Sequence, residues 1–395
     1  MMEVNQALEQ VLGTVNRLPA CGVPLLGALG NVAARDVLAS VALPGFDNSA
    51  MDGYAVRAED AARGAILSCV GEQAAGVRNV GLSLGKGEAV RIFTGGQIPV
   101  GADAVVMQED VRLHDGGARV EVADDVELGQ FIRRRGSDLC PGQVILRSGD
   151  VVNAARIGLL ASQGRVQVDV VSDPVVAVLT TGNELVSPGV RLAEGQLYNS
   201  NAPMLEALVR AEGIAGVSAS HCRDDKLDTV TCLKRLTTEA DVVIVSGGVS
   251  VGDHDWVKPA LEEVGLPPVF WRVRMKPGKP FLFAHGNVGG RERWVFGLPG
   301  NPVSSFVTFL LLVRPALRAL RGLSLASDVV GVVTERLDNA GDRPLYVRGQ
   351  YSHGSFAPVG LQRSDALFSL SLSDGLVRVE PGEVIPPGSK KAILM

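Results

Sequence analysis

Between Pro174 and Leu320 the chain alternates short β-branched runs with stretches of helical apolar spacing, and few folds accommodate that order. The spacing predicts strands over Val175–Leu179, Ile214–Ala219 and Val242–Val245, separated by helices over Pro203–Glu212 and Leu227–Thr238. Strands joined through helices of this length run parallel, because a parallel connection needs a crossover that a tight turn cannot supply. The expected centre is an α/β domain with a mostly parallel sheet, and open sheets of this kind bind ligands at the carboxyl ends of their strands. Three loops follow predicted strands and should gather at that edge: Thr180 to Glu184, Ser246 to Asp255 and Gly297 to Pro302. A long apolar helix, Pro302 to Leu320, should then cover the sheet.

The flanking segments have a different character. Asn5–Val15 and Val23–Ala39 carry helical apolar spacing around a Pro-Ala-Cys-Gly turn. From about 51 to 140 the pattern changes to short Val/Ile-rich pieces between glycines, such as Ala89–Phe93, Ala104–Met107 and Arg119–Val122, which predicts a small inserted β-rich domain. Asn153–Gly164 reads as a capped helix that returns the chain to its first domain, followed by a strand over Arg165–Val171. Asp328–Met395 is rich in β-branched residues, Gly and Pro, which suggests a C-terminal β-barrel. The expected division is 1–50 with 141–172 as a discontinuous helical and linker domain, then 51–140, 173–322 and 323–395. A chain of 395 residues exceeds what one core usually serves.

Charge and cysteine content narrow the function class. A net charge of -5 leaves no electrostatic footprint for nucleic acid or an anionic membrane, so an anionic ligand has to be met by local cations. The five cysteines are odd in number and include no Cys-x-x-Cys pair, which argues against a disulfide framework or a zinc site and for a reducing cytoplasm. No leader is evident at the start, and the longest apolar stretch, Phe306 to Val313, is far short of the roughly 20 residues that span a bilayer. A soluble cytoplasmic protein is expected.

Several loops carry chemistry. Asp47, Asn48, Ser49 and Asp52 crowd between Pro44-Gly45 and Gly53, where neither helix period nor strand alternation accounts for them; they read as a shaped loop presenting oxygen ligands or as an Asx-rich turn. Ser246-Gly247-Gly248 places small residues after a buried strand, where backbone N–H groups can approach an anion, although a lone Gly-Gly is more often only a turn. Asp253 and Asp255 suit a hard divalent cation, Mg²⁺ before zinc, whereas His254 reads as a solvated or packing residue. Glu184 and the Asp224-Asp225 pair add carboxylates, the pair reading equally well as a helix cap. Lys276-Pro277-Gly278-Lys279-Pro280 is a stiff basic turn, and Arg272 and Arg274 before it fall on alternate strand positions and should share one face. Acids, cations and a metal point to phosphoryl chemistry by positioning and charge stabilisation rather than to a covalent nucleophile.

The stretch from Phe46 to Ala55, Thr94-Gly95-Gly96-Gln97-Ile98-Pro99, Thr181-Gly182-Asn183-Glu184, Ser246 to Gly252, Lys276 to Pro280 and Gly297-Leu298-Pro299-Gly300-Asn301-Pro302 occur in one order. Together they resemble the molybdopterin molybdenumtransferase family, which includes the C-terminal half of gephyrin, from about Leu43 to the C-terminus. The resemblance implies Mg²⁺-dependent insertion of molybdate into adenylylated molybdopterin with release of AMP. It implies functional roles for Asp52, Thr94, Glu184, Asp224, Asp255 and Lys276, with Asp253 a further metal candidate beside Glu184 and Asp255. Substrate contacts are implied for Ser246, Gly247, Gly248, Arg272, Lys279, Pro299, Gly300, Asn301, Arg348 and Ser364. Arg272 stands where a lysine is common in relatives, and Arg363 is a rival to Ser364 as an anion contact. The implied assembly is a homodimer with its site at the subunit interface, in transient contact with the adenylyltransferase and with molybdoenzyme apoproteins. The competing readings are a molybdopterin adenylyltransferase-like enzyme or nicotinamide-nucleotide amidase built on the same α/β domain, and a non-catalytic cofactor-binding scaffold.

Overall fold

The computed structural model describes residues 1–76, 82–249 and 255–395. The chain divides into two units, one of Met1–Val23, Gly27–Ala34 and Val168–Met395, the other of Pro24–Leu26 and Arg35–Gln167. Helix α1 (Val4–Thr14) opens the larger unit and buries Val4, Ala7 and Val11, one stripe at helical spacing. A second helix over Val23–Ala39 does not form. Ala20–Pro24 is a strand, Leu25–Ala28 a single tight turn, and Val37–Leu38 pairs with Val144–Leu146. Gly30 adopts φ 79° there, a left-handed conformation that ends a helix, so the apolar spacing serves several separate contacts.

The smaller unit is built on a six-stranded sheet. Its strands are β1 (Gly53–Val56), β2 (Ile66–Gln73), β3 (Glu88–Ile92), β4 (Ala104–Met107), β5 (Val111–His114) and β6 (Arg119–Val122), in the order β4-β1-β3-β2-β6-β5. Tyr54, Val56, Leu67, Val106 and Val120 form its core. Gly53 is obligatory, because a Cβ there would stand 1.9 Å from the Val106 carbonyl oxygen. Helix α2 (Ala154–Ser162) starts at Asn153, whose side chain accepts from the Arg156 N–H at 2.9 Å.

In the larger unit β7 (Val176–Thr181), α3 (Asn201–Ala211), β8 (Val217–Cys222), α4 (Lys226–Glu239) and β9 (Val242–Ser246) alternate as the spacing predicts. After α5 (Val257–Glu263) come β10 (Pro268–Trp271), β11 (Leu282–Val288) and β12 (Arg291–Leu298). The sheet order is β8-β7-β9-β12-β11-β10, with the first four strands parallel and the last two antiparallel. Strand alternation divides the core: Val176, Val178, Val242 and Ile244 face one side, Ala177, Leu179, Val243 and Val245 the other. Helix α6 (Pro302–Leu320) is long and apolar enough to cross a membrane, yet 72% of it is buried, packed with α1 in the first of these layers. Strands β13 (Val329–Val333), β14 (Leu345–Ser352), β15 (Ser355–Pro358), β16 (Gly375–Val379) and β17 (Lys390–Leu394) then close into a barrel.

Candidate functional site

Because β7, β8, β9 and β12 run parallel, Thr181, Cys222, Ser246 and Leu298 end on one edge of the sheet. A cleft of about 750 Å³ opens there, walled by Thr181, Glu184, Asn199, Asn201, Ser246, Gly248 and the Pro299-Gly300-Asn301 turn. A second hollow of about 490 Å³ adjoins it, sharing Pro280, Pro299, Asn301 and Asp365, and is lined by Lys276, Lys279, Arg343, Arg363 and Ser364. The site therefore has a mainly neutral lobe at the strand ends and a cationic lobe beside the barrel.

Side-chain hydrogen bonds set the neutral lobe. The Thr181 hydroxyl donates to Asp224 Oδ1, and the Asp224 N–H donates to Asn183 Oδ1 at 3.2 Å. Asp224 and Asp225 thus divide their work, since Asp225 caps α4 by accepting from the Asp228 N–H at 3.0 Å. The Asn199 amide donates to Thr180 Oγ1 at 2.7 Å, and the Asn201 amide donates to Ser246 Oγ at 2.9 Å and to the Gly300 carbonyl at 2.7 Å. Gly247 has φ 99°, and a Cβ on it would meet the Thr181 carbonyl oxygen at 2.8 Å, so glycine lets this loop lie on the neighbouring strand end. Sequence reasoning missed Asn199 and Asn201 as site residues by starting the helix at Pro203, where the structure starts it at Asn201. The available signal was Asn199-Ser200-Asn201, a polar run immediately before an apolar helix.

In the cationic lobe the basic turn is strapped to the barrel. The Lys276 N–H donates to the Pro344 carbonyl and the Tyr346 N–H to the Lys276 carbonyl, both at 2.8 Å. Both lysines are exposed. Asn301 donates to Ser364 Oγ at 3.1 Å, joining the start of α6 to the barrel loop. Arg363 is paired with Asp365 at 2.7 Å, which offsets its charge as a rival anion contact.

Three arginines do not stand where the sequence pattern suggested. Arg272 and Arg274 do not share a strand face, because Arg272 adopts φ 70° and breaks the strand. Arg272 lies over the Trp271 ring at 3.9 Å, whereas Arg274 pairs with Glu3 at 2.9 Å. Arg348 is 0% exposed and does not line the cleft; its Nη2 donates to the carbonyls of Leu361 and Arg363 at 2.5 and 3.2 Å. It therefore acts on the loop that carries Ser364. Asp255 is half-buried just before α5, and Asp253, the further metal candidate, lies outside the described residues.

Asp52 and Thr94 belong to the smaller unit. The Thr94 N–H and hydroxyl both donate to Asp52 Oδ1, at 2.7 and 2.8 Å, and hold that carboxyl below its usual range. The other oxygens of this loop turn inward. Asp47 accepts from Arg135 N–H at 2.7 Å and Arg134 at 2.8 Å, and the Ser49 hydroxyl donates to the Met51 carbonyl at 2.5 Å. Asn48 and Ser49 pair with Ile132 and Arg133. Only Asp52 of the four is fully exposed, so the loop presents one carboxylate rather than a ligand cluster.

Among the described residues no three His, Cys, Asp or Glu side chains converge on a point. Mg²⁺ is commonly held by one or two carboxylates with substrate phosphates completing its shell. Glu184, an exposed hard donor on the cleft wall, fits that mode.

Comparison with known proteins matches the whole length. Residues 2–164 match the MoeA N-terminal region (domain I and II), 177–319 a probable molybdopterin binding domain, and 330–391 the MoeA C-terminal region (domain IV). The chain is 37% identical over 377 residues to molybdopterin molybdenumtransferase 2 of Mycobacterium tuberculosis, covering 92% of this chain and 91% of the relative. It belongs to the molybdopterin molybdenumtransferase family. The family member from Staphylococcus aureus is 31% identical over 398 residues, 96% of this chain and 91% of its own. The crystal structure of the molybdopterin biosynthesis moeA protein from Pyrococcus horikoshii OT3 superposes with a TM-score of 0.82 at 28% identity, covering 100% and 99% of the two chains. Membership of this transferase family accounts for the closed barrel and the inserted β unit, which an adenylyltransferase or amidase built on the α/β domain alone has no need to carry.

Proposed function

We infer that this protein inserts molybdate into adenylylated molybdopterin and releases AMP in a Mg²⁺-dependent step. The observation that carries this reading is the junction of two lobes, one at the strand ends lined mostly by uncharged groups with the Glu184 carboxylate on its wall, one bearing Lys276 and Lys279. A fused heterocycle suits the first, and oxyanions suit the second. Exposed ammonium groups act as point charges on phosphate or molybdate oxygens. Cleaving the anhydride adds one water oxygen to phosphorus and expels AMP, so negative charge builds on the departing oxygen, where Lys276 and Lys279 can offset it. Glu184, exposed on the cleft wall, can orient that water. Mg²⁺, for which Glu184 and Asp255 are the candidate ligands among the described residues, would supply neutralisation of the phosphate oxygens.

Asp52 and Thr94 form a preset carboxylate and hydroxyl pair in the smaller unit, and in the homodimer that the family resemblance implies they would face the cleft of a second subunit. Chromatographic detection of AMP tests the reaction: purified protein with adenylylated molybdopterin and Mg²⁺ should release AMP in a molybdate-dependent manner. Tight binding without release would instead mark a carrier or scaffold. Mixing Asp52→Asn and Lys276→Ala chains tests the shared site, since heterodimers should recover activity that neither variant has alone. Failure to recover any would place both residues in one chain's site.

A further inference from the structure

The cationic lobe contains a group that works against the ligand it suits. Among the described residues that line it, Lys276, Lys279, Arg343 and Arg363 carry positive charge and Asp365 alone carries negative charge. Asp365 also lines the cleft at the strand ends, so it stands where the two hollows join. A carboxylate in the wall of an anion seat lowers affinity by like-charge repulsion, and its presence there calls for a physical reason.

Asp365 holds Arg363. The guanidinium donates from Nε to Oδ1 at 3.1 Å and from Nη2 to Oδ2 at 2.7 Å, a parallel two-bond fork. Lys276 and Lys279, by contrast, have no carboxylate partner among the described residues. The Arg363 and Asp365 side chains are 70% and 55% exposed, and a solvated pair of this kind is weak. The backbone beneath it is fastened: Asn301 donates to Ser364 Oγ at 3.1 Å, the Val303 N–H donates to the Ser364 carbonyl at 3.2 Å, and Arg348 reaches the Arg363 carbonyl at 3.2 Å. The turn can therefore stay in place while the Arg363 side chain rotates to another partner. A dianion presents the same fork with two oxygens and twice the charge of a carboxylate.

We propose that Asp365 competes with a bound oxyanion for Arg363 and thereby sets how tightly the cationic lobe holds that anion. In the empty lobe Arg363 rests on Asp365; an arriving dianion draws the guanidinium across, and on its departure the carboxylate takes the guanidinium back. This rests on the functional reading above, because it takes the cationic lobe as the oxyanion's seat. The consequence is an affinity held down in favour of release, which suits an anion that must move on to a second reactant rather than stay where it first binds.

The test is a double-mutant cycle read by calorimetric titration of the full chain with molybdate alone, at low ionic strength. Asp365→Asn is nearly isosteric and exposed, so it should leave unfolding unchanged and bind molybdate about 3- to 10-fold more tightly than the wild type. In an Arg363→Ala background the same substitution should gain less than about twofold, because the contested partner is gone. The gain should also shrink toward nothing at about 1 M salt. Equal gains in the two backgrounds would overturn the exchange and leave Asp365 an isolated charge. Weaker or unchanged binding in Asp365→Asn would overturn the competition and make Asp365 a brace that holds Arg363 ready. If no variant binds molybdate although AMP release depends on it, the proposal fails while the reaction stands; if neither is seen, both fail.

Discussion

Replacing Arg348 by Met separates stability from function at a residue that does both. The side chain is wholly buried, and burial lowers its pKa, a direction that signals an unfavourable setting for charge. Its Nη2 makes two hydrogen bonds to loop carbonyls, together about 3–6 kcal/mol at the usual 1.5–3 for a charged donor. Against them stand Nε and Nη1, buried without partners among the described residues, at about 1–3 kcal/mol each, and a desolvation cost of several kcal/mol for the ion. The costs match or exceed the gain, but Met would leave the Leu361 and Arg363 carbonyls without their donor, at about 1–3 kcal/mol each, which brings the exchange back toward balance. Met keeps the aliphatic stem and removes the charge, so the expected change in unfolding free energy is small, within about 1–2 kcal/mol. The loop is a different matter. Gln362 still bridges to the Arg348 backbone at 2.9 Å in both directions, but the Leu361 and Arg363 carbonyls lose their anchor. Ser364 then loses its fixed place against Asn301, and the KM for molybdate should rise about tenfold, equivalent to about 1.4 kcal/mol of lost positioning. Denaturant unfolding and molybdate-dependent AMP release measure the two quantities on one preparation. A destabilisation above 3 kcal/mol, or a KM that does not move, would refute the balance drawn here.

Other expectations are simpler to state. Gly247→Ala forces a left-handed residue with a Cβ 2.8 Å from the Thr181 carbonyl, so it should cost about 2–4 kcal/mol and displace the Thr181–Asp224 contact; turnover within fivefold of wild type would refute the packing argument. Glu184→Gln is nearly isosteric and exposed, and should lower kcat at least tenfold while leaving thermal unfolding within about 0.5 kcal/mol. The Arg135 N–H, with the Arg134 guanidinium, holds Asp47 below the usual carboxylate range. Its contribution to stability is therefore present above the unfolded pKa near 4 and is lost as pH falls through the lower folded value. Asp47→Asn should accordingly flatten the acid limb of stability measured from pH 5 to 2.5, and an unchanged limb would assign acid sensitivity to other carboxylates.

Much of the α/β unit is legible in the chain because burial on both faces of a parallel sheet leaves continuous runs such as Val242-Val243-Ile244-Val245, bounded by Asp241 and Ser246-Gly247. The loops after those runs had to gather at one edge, and Glu184, Ser246 and Asn301 do line the cleft there, while the roles given to them came from the family resemblance. Val23–Ala39 misled for a physical reason: its apolar residues are spread over two short strands and one tight turn, with Leu26, Leu29 and Leu38 exposed, and spacing alone cannot distinguish that from one helical stripe. Arg272 misled because a single left-handed residue reverses which side of a strand its successors face.

The sequence by itself determined the order of strands and helices, the parallel edge, the barrel and the placing of acids and lysines on loops, since these depend on periodicity and on residues that only turns accommodate. Tertiary structure decided which of those groups are available. It buried Arg348 behind its loop, tied Asp47 to Arg134 and Arg135 and Ser49 to its own turn, gave Asp225 to a helix cap while turning Asp224 toward Thr181, and left one amide oxygen of Asn201 unpaired. Whether a polar side chain faces its own fold or a ligand depends on partners far away in the chain, and local spacing carries no record of them.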